Sequence, residues 1–383
     1  MRSRTVFVGL VAVTLSCASA ARSREATDIT ADDLLSGETL GLEEQSPLLI
    51  DDEEVLAVSA EMRAFLAEHV DRRSSDYIKL HQLAYAIIDK SSFGLQYDET
   101  TRTAAETFHL RQGNCLSFSN MFVALARAAG LEVQFQEVDI PPDWTLRNDA
   151  FVLNRHVNVW VDLGTGGTQA VDFNIDDFRT TYDRRLISDT RARAHYYNNM
   201  GVEAMQAGDT AAALAYYRKA IADNDSRFAP AWTNLGVLYL REGHEAYAEA
   251  AFLQALKAES GHFVAMSNLV NLYEQQGMAE RAEFYRKKVV RHRNQNPYYR
   301  YHLAREAFLA REYETAVKHL KFAVRERKQE DQFCFLLGLS YLQMGEEGAA
   351  RRWLQRAEEV AAGDALKRNY SNKIEMLLSG SQK

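Results

Sequence analysis

Small residues recur at a nearly fixed interval through the second half of this chain, and no other feature restricts its fold as tightly. Gly201, Gly236, Val270, Ala304 and Gly338 are separated by 35, 34, 34 and 34 positions. A second column, Ala213, Ala248, Ala282, Ala316 and Ala350, lies twelve residues after the first, and a third, Ala220, Ala255, Val289, Ala323 and Ala357, seven beyond that. A repeat of this length is one helix-turn-helix unit that cannot bury its apolar face alone, so consecutive units stack. The columns stay small because the two helices of each unit cross closely, and a large side chain there would push them apart.

The second unit, with Trp232, Leu235, Gly236, Tyr239, Ala248, Phe252 and Ala255, resembles the tetratricopeptide signature almost position for position. The third departs from it at Arg286, where a large apolar residue is usual, and Tyr285 is the neighbour expected to fill the space. Five units over residues 194–363 imply an all-α solenoid, with residues 364–383 forming a capping helix N-capped by Asp364, and a tail. A peptide or protein ligand is expected in the concave groove of such an array. The basic run Arg286, Lys287, Lys288, Arg291, His292 and Arg293 reads as the solvated face of a repeat helix.

The front half has a different grammar. Residues 21–50 are acidic and lack sustained periodicity, which is the composition of a linker. A helix is expected from Asp51, with Glu54 completing a capping box, to about His69, and a second after Ser75. A third should start near Asn114, bury Phe118, Met121, Phe122, Leu125 and Ala126, and end at Gly130. The period then changes. Leu131 to Glu137, Asn154 to Val161 and Ala170 to Phe173 alternate as strands, the last two joined by a glycine-rich turn at Gly164 to Gly167.

Three residues in these elements could carry chemistry. Cys115 opens a helix, where free N–H groups and the helix dipole make a cysteine a better nucleophile than one in mid-helix. His156 and Asp172 stand in consecutive strands, and a hairpin centred on residue 164 sets them opposite each other. His156, Asn158 and Trp160 then share one face of their strand and Val157, Val159 and Val161 the other. Read separately, the three could equally be a buried cysteine, a satisfied strand histidine and a turn-capping acid. His109 is a rival base, Gln112 and Asn158 are candidate oxyanion donors, and the loop from Ile140 to Asn148, with Trp144, is a candidate substrate lip.

The runs Arg111-Gln112-Gly113-Asn114-Cys115, Asn154-Arg155-His156-Val157-Asn158-Val159-Trp160 and Ala170-Val171-Asp172-Phe173 resemble the transglutaminase-like superfamily in content and order. The resemblance implies an α+β, papain-like core over residues 51–190, with Cys115 as nucleophile, His156 as general base and Asp172 as orienting group. It implies acyl transfer at an amide or isopeptide bond, with hydrolysis the default and transamidation the variant. Leu116-Ser117 replaces the aromatic or aspartate often found after that cysteine, which leaves the substrate open. The competing expectation is an envelope scaffold or adaptor whose front domain is inactive.

No spaced cysteine pair, HExxH motif or phosphate-loop motif occurs, and no calcium-type loop, so no metal or cofactor is expected. With 45 basic against 53 acidic side chains, the formal charge of -8 gives nucleic acid no general attraction. Arg2, Arg4 and the apolar run Val6 to Leu15 have the plan of a signal peptide over residues 1–20. Cleavage has two readings: a lipobox at Cys17, giving a lipid anchor and an outer-membrane address, or ordinary cleavage after Ala20 into the periplasm. A cell-wall stem peptide is then one expected substrate. Cys334 occupies a repeat core position and reads as a small buried hydrophobe.

Overall fold

A computed structural model of the chain describes residues 25–42, 47, 49–88, 93–140, 155–173 and 182–380. The expected signal peptide, Asn154 and the candidate lip beyond Ile140 lie outside the described residues.

The order of elements is α1 (Ala31–Ser36), α2 (Asp52–Val55), α3 (Ala60–His69), α4 (Asp76–Ile88), β1 (Gln96–Tyr97), α5 (Ala104–Leu110), β2 (Gln112–Gly113), α6 (Cys115–Ala128), β3 (Glu132–Asp139), β4 (Arg155–Asp162), β5 (Thr168–Val171) and β6 (Arg184–Ile187). The helix expected to run from Asp51 is broken in two. Asp51 makes no side-chain cap bond, while Ser59 accepts from the N–H of Met62 at 3.1 Å and starts α3 afresh. Strands β5-β4-β3-β6 form an antiparallel sheet in that order, and β1 pairs with β2 in parallel.

Ten repeat helices follow: α7 (Asp189–Gln206), α8 (Thr210–Arg218, extended by a π-helical stretch Lys219–Asn224), α9 (Ala229–Arg241), α10 (Glu245–Ala258), α11 (Phe263–Gln275), α12 (Ala279–Gln295), α13 (Pro297–Leu309), α14 (Tyr313–Glu326), α15 (Asp331–Gln343) and α16 (Glu347–Val360). The column glycines lie where crossing helices touch. A Cβ on Gly236 would sit 2.6 Å from the Phe252 ring, and one on Gly201 2.5 Å from Tyr217. In the third unit Arg286 turns outward to Glu274 and Glu283, and Tyr285 stacks on Tyr273 with ring centroids 5.9 Å apart. Finally α17 (Asp364–Gly380) buries Tyr370 and Ile374 against Leu354 and Ala361, closing the array. Asp364 is the first helical residue, so the cap lies before it.

The segment expected as a linker is docked. Thr30 and Asp33 form a capping box for α1. Leu34 is fully buried, its carbonyl accepts from the Tyr239 hydroxyl at 2.7 Å, and Leu35 O accepts from Arg218 Nε at 2.7 Å. These pieces are too short to show a period, yet Ile29 and Leu34 bury enough apolar surface on the repeats to hold them.

The repeats also clasp the sheet. Glu137 of β3, nearly inaccessible to water, accepts from His195 Nε2 at 2.7 Å and Arg191 Nε at 2.8 Å, both on α7, and pairs with Arg185. The two cationic partners on α7 hold its carboxyl far below the usual range although burial acts the other way. Three repeats further on, Tyr298 of α13 meets Tyr182 edge-on at 5.7 Å, and Arg327 pairs with Asp183.

Candidate active site

Asn114 caps α6: its Oδ1 accepts from Ser117 N at 2.9 Å, which fixes where the helix begins and puts Cys115 at its first position. Gly113 is needed just before, because a Cβ there would lie 2.6 Å from the Ser117 Cβ. One turn on, Ser119 Oγ lies 2.9 Å from both Cys115 O and Val157 O, tying the helix start to β4. Cys115 is partly exposed.

The hairpin register differs from expectation by two residues. Val159 pairs with Val171, so Asp172, one step past the end of β5, comes beside Asn158 and diagonal to His156. The extra length is taken up by the turn at Gly164–Gly166 and Gly167. A shift of two preserves the face on which each side chain stands, and the contact survives. His156 Nε2 lies 2.8 Å from both carboxylate oxygens of Asp172, and Asn158 Nδ2 donates to Oδ2 at 2.8 Å. Asn158 therefore steadies the carboxylate through one of its two amide N–H groups.

The Cys115 side chain lies close enough to the imidazole to help raise its pKa. With Nε2 engaged by the carboxylate, Nδ1 is the ring atom left for the sulfur. Burial disfavours the charged ring, but Asp172 and Cys115 outweigh it and raise the His156 pKa to about 9. At neutral pH the ring keeps its proton. The side chains of His156 and Asp172 are 6% and 5% exposed, so this interaction is shielded from solvent screening.

Cys115, His156 and Asp172 are thus brought together. His109 is not among them: it is exposed on α5 and faces Glu61 at 3.2 Å. Gln112 is exposed in β2 beside Gln96. Tyr97, not picked out from the sequence, lies close enough to Cys115 for a negative charge on the sulfur to oppose ionisation of the phenol. Its only sequence signal is a two-residue strand. Cys334 is fully buried, and burial pushes its thiol up to about 11. Among the described residues no cluster of His, Cys, Asp or Glu is arranged to hold a metal ion.

Residues 63–169 match the model of the transglutaminase-like superfamily, and residues 194–222, 229–262 and 331–364 that of the tetratricopeptide repeat. Photosystem I assembly protein Ycf3 of Prochlorococcus marinus strain MIT 9303 is 31% identical over 93 residues, 24% of this chain and 54% of its own. The same protein of strain MIT 9313 matches equally, so the chain spans about half the length of these curated relatives. Among solved structures, MamA from Desulfovibrio magneticus RS-1 is 17% identical and covers 44% of this chain and 94% of its own, with a TM-score of 0.25. YrrB, described as a TPR protein with an unusual peptide-binding site, is 18% identical and covers 47% and 92%, with a TM-score of 0.24.

Proposed function

We propose, from a transglutaminase-like domain followed by tetratricopeptide repeats, that this chain is a cysteine-dependent acyl-transfer enzyme acting on an amide or isopeptide bond. The observation that carries this reading is the His156 ring held between the Asp172 carboxylate and the Cys115 side chain at a helix N-terminus.

In the first half-reaction the proton of the Cys115 thiol rests on the His156 ring, the sulfur attacks the carbonyl carbon and the carbonyl oxygen collects the displaced electron pair as an oxyanion. Backbone N–H groups at the start of α6 are the nearest fixed donors for it, with Gln112 and the Tyr97 hydroxyl as side-chain candidates. As the carbonyl re-forms, the C–N bond breaks, and His156 gives its proton to the departing amine nitrogen. A retained proton suits the ring to this acid step. In the second half, water attacks the thioester carbonyl, returns a proton to His156 and expels the Cys115 sulfur, releasing a carboxylic acid. An amine in place of water yields a new amide.

The array is read as a docking surface for a peptide or protein. Export, and lipidation at Cys17, complete the reading, with peptide of the cell envelope as substrate. The test is turnover of a library of peptide and isopeptide amides by the full chain and by Cys115→Ala, with a thiol-directed electrophile as a second probe. Cys115 labelling that is fast, selective over Cys334 and dependent on His156 supports an enzyme. Equal sluggishness at both cysteines, with no Cys115-dependent turnover, favours the adaptor.

A further inference from the structure

The start of α6 is held in part from outside its own domain. Glu203, on the first repeat helix α7, accepts from the backbone N–H of Thr101 at 2.9 Å through Oε1. The Thr101 hydroxyl in turn accepts from Asn114 Nδ2 at 2.8 Å. Asn114 Oδ1 then accepts from both the N–H and the hydroxyl of Ser117, at 2.9 and 3.0 Å, which defines the turn that begins with Cys115. The loop between β1 and α5 is bound to the same turn a second time, since Arg102 N donates to Ser117 Oγ at 2.9 Å.

Each link in this relay is directional. The Asn114 amide can cap the helix only with its oxygen toward Ser117, which turns its NH2 group toward Thr101. Thr101 is buried, at 4% exposure, and its N–H is held by a carboxylate belonging to the repeats. A charge-assisted hydrogen bond of this kind is stronger than a neutral one. Removing it frees the loop that fixes the Asn114 rotamer, and the sulfur is one residue from that rotamer.

We propose that Glu203 is a positioning residue for Cys115, so that the first repeat is a structural part of the active site as well as a docking element. This rests on the acyl-transfer reading above. The Glu203 carboxylate touches neither substrate nor the reacting atoms; it sets the geometry from which the sulfur attacks, where small displacements are costly.

The experiment uses the full chain and compares wild type, Glu203→Ala, Glu203→Gln and Thr101→Val. Cys115 alkylation is timed across pH against Cys334 as an internal folding reporter, and amide exchange is followed at Cys115, Leu116 and Ser117. Glu203→Ala is expected to slow Cys115 about tenfold with Cys334 still protected. Glu203→Gln, which keeps an accepting oxygen, should recover to within about threefold. Thr101→Val should mimic the alanine variant by cutting the next link. Faster exchange at the start of α6 should accompany each loss.

A folded Glu203→Ala protein with unchanged Cys115 rate and unchanged exchange overturns the proposal while leaving the enzyme reading intact. If that variant exposes Cys334, Thr101→Val decides: a slowed Cys115 in a folded protein supports the relay, and an unaffected one overturns it. A wild-type Cys115 no faster than Cys334 retires the enzyme reading, and the exchange data alone then decide whether Glu203 braces the helix.

Discussion

Replacing Asp172 by Asn removes one charge and little volume, and the structure sets the size of the response. Raising the His156 ring from its ordinary 6.5 to about 9 corresponds to roughly 3 kcal/mol in favour of the charged form. Burial opposes that form, and Asp172 supplies more of what overcomes it than Cys115 does, so without the carboxylate charge the ring should titrate well below 9, back toward 6.5. Because the folded pKa is raised, the stabilisation is complete below pH 6.5 and disappears as pH climbs through about 9. Wild type should therefore lose on the order of 3 kcal/mol of stability across that window through this group, and Asp172→Asn should not. The assay is a proton NMR titration of the imidazoles, with His156→Gln identifying the signal among ten histidines. Urea melts at both ends of the window supply the stability comparison. At neutral pH the variant ring has largely lost the proton it would give to the leaving amine, so Cys115-dependent turnover should drop on the order of a hundredfold. A ring that still titrates near 9 without the carboxylate would refute the coupling inferred from the two 2.8 Å contacts.

Two further outcomes follow from backbone and charge. The second residue after each first helix of a repeat turns left-handed at Gly208, Gly243, Gly277 and Gly345, but the fourth unit places Arg311 there at φ 64°; Arg311→Gly should stabilise by about 1 kcal/mol, read as a rise in melting temperature. Glu137→Gln leaves His195 and Arg191 without their buried counter-charge, so the junction should weaken by roughly 3 kcal/mol in urea unfolding, with α7 losing amide protection first. A melt indistinguishable from wild type would mean that neighbouring charges, such as Asp225 beside Arg191, already neutralise the cluster.

Legibility in the sequence followed the physics of each element. The repeat columns could be read because one packing constraint recurs five times, and the contacts of Gly201 with Tyr217 and Gly236 with Phe252 are that constraint in atomic form. The grouping of Cys115, His156 and Asp172 could be read because strand alternation keeps a side chain's face under any even shift of register. That is why a two-residue error in the hairpin did no harm. What escaped notice has no period. The docking of Leu34 and the Glu203–Thr101–Asn114 relay depend on one or two contacts between residues far apart in the chain, while the break before Ser59 and the four-residue strand β6 are too short to show a period. A single glutamate on a repeat helix gives no local sign of its partner.

The grip of the repeats on the sheet changes how this solenoid responds to force. A free coil of helix pairs stretches like a spring, every unit sharing the strain. Here two points of the coil are bolted to one post: the first unit through Glu137, and the fourth through Tyr182 and Asp183. The compliance that remains belongs to the fifth unit and the closing helix. A load applied at that far end meets Tyr182 and Asp183, at the entry to the edge strand β6, before it meets the first unit, so a tug on the tail is felt at the sheet's edge before the intervening turns give way.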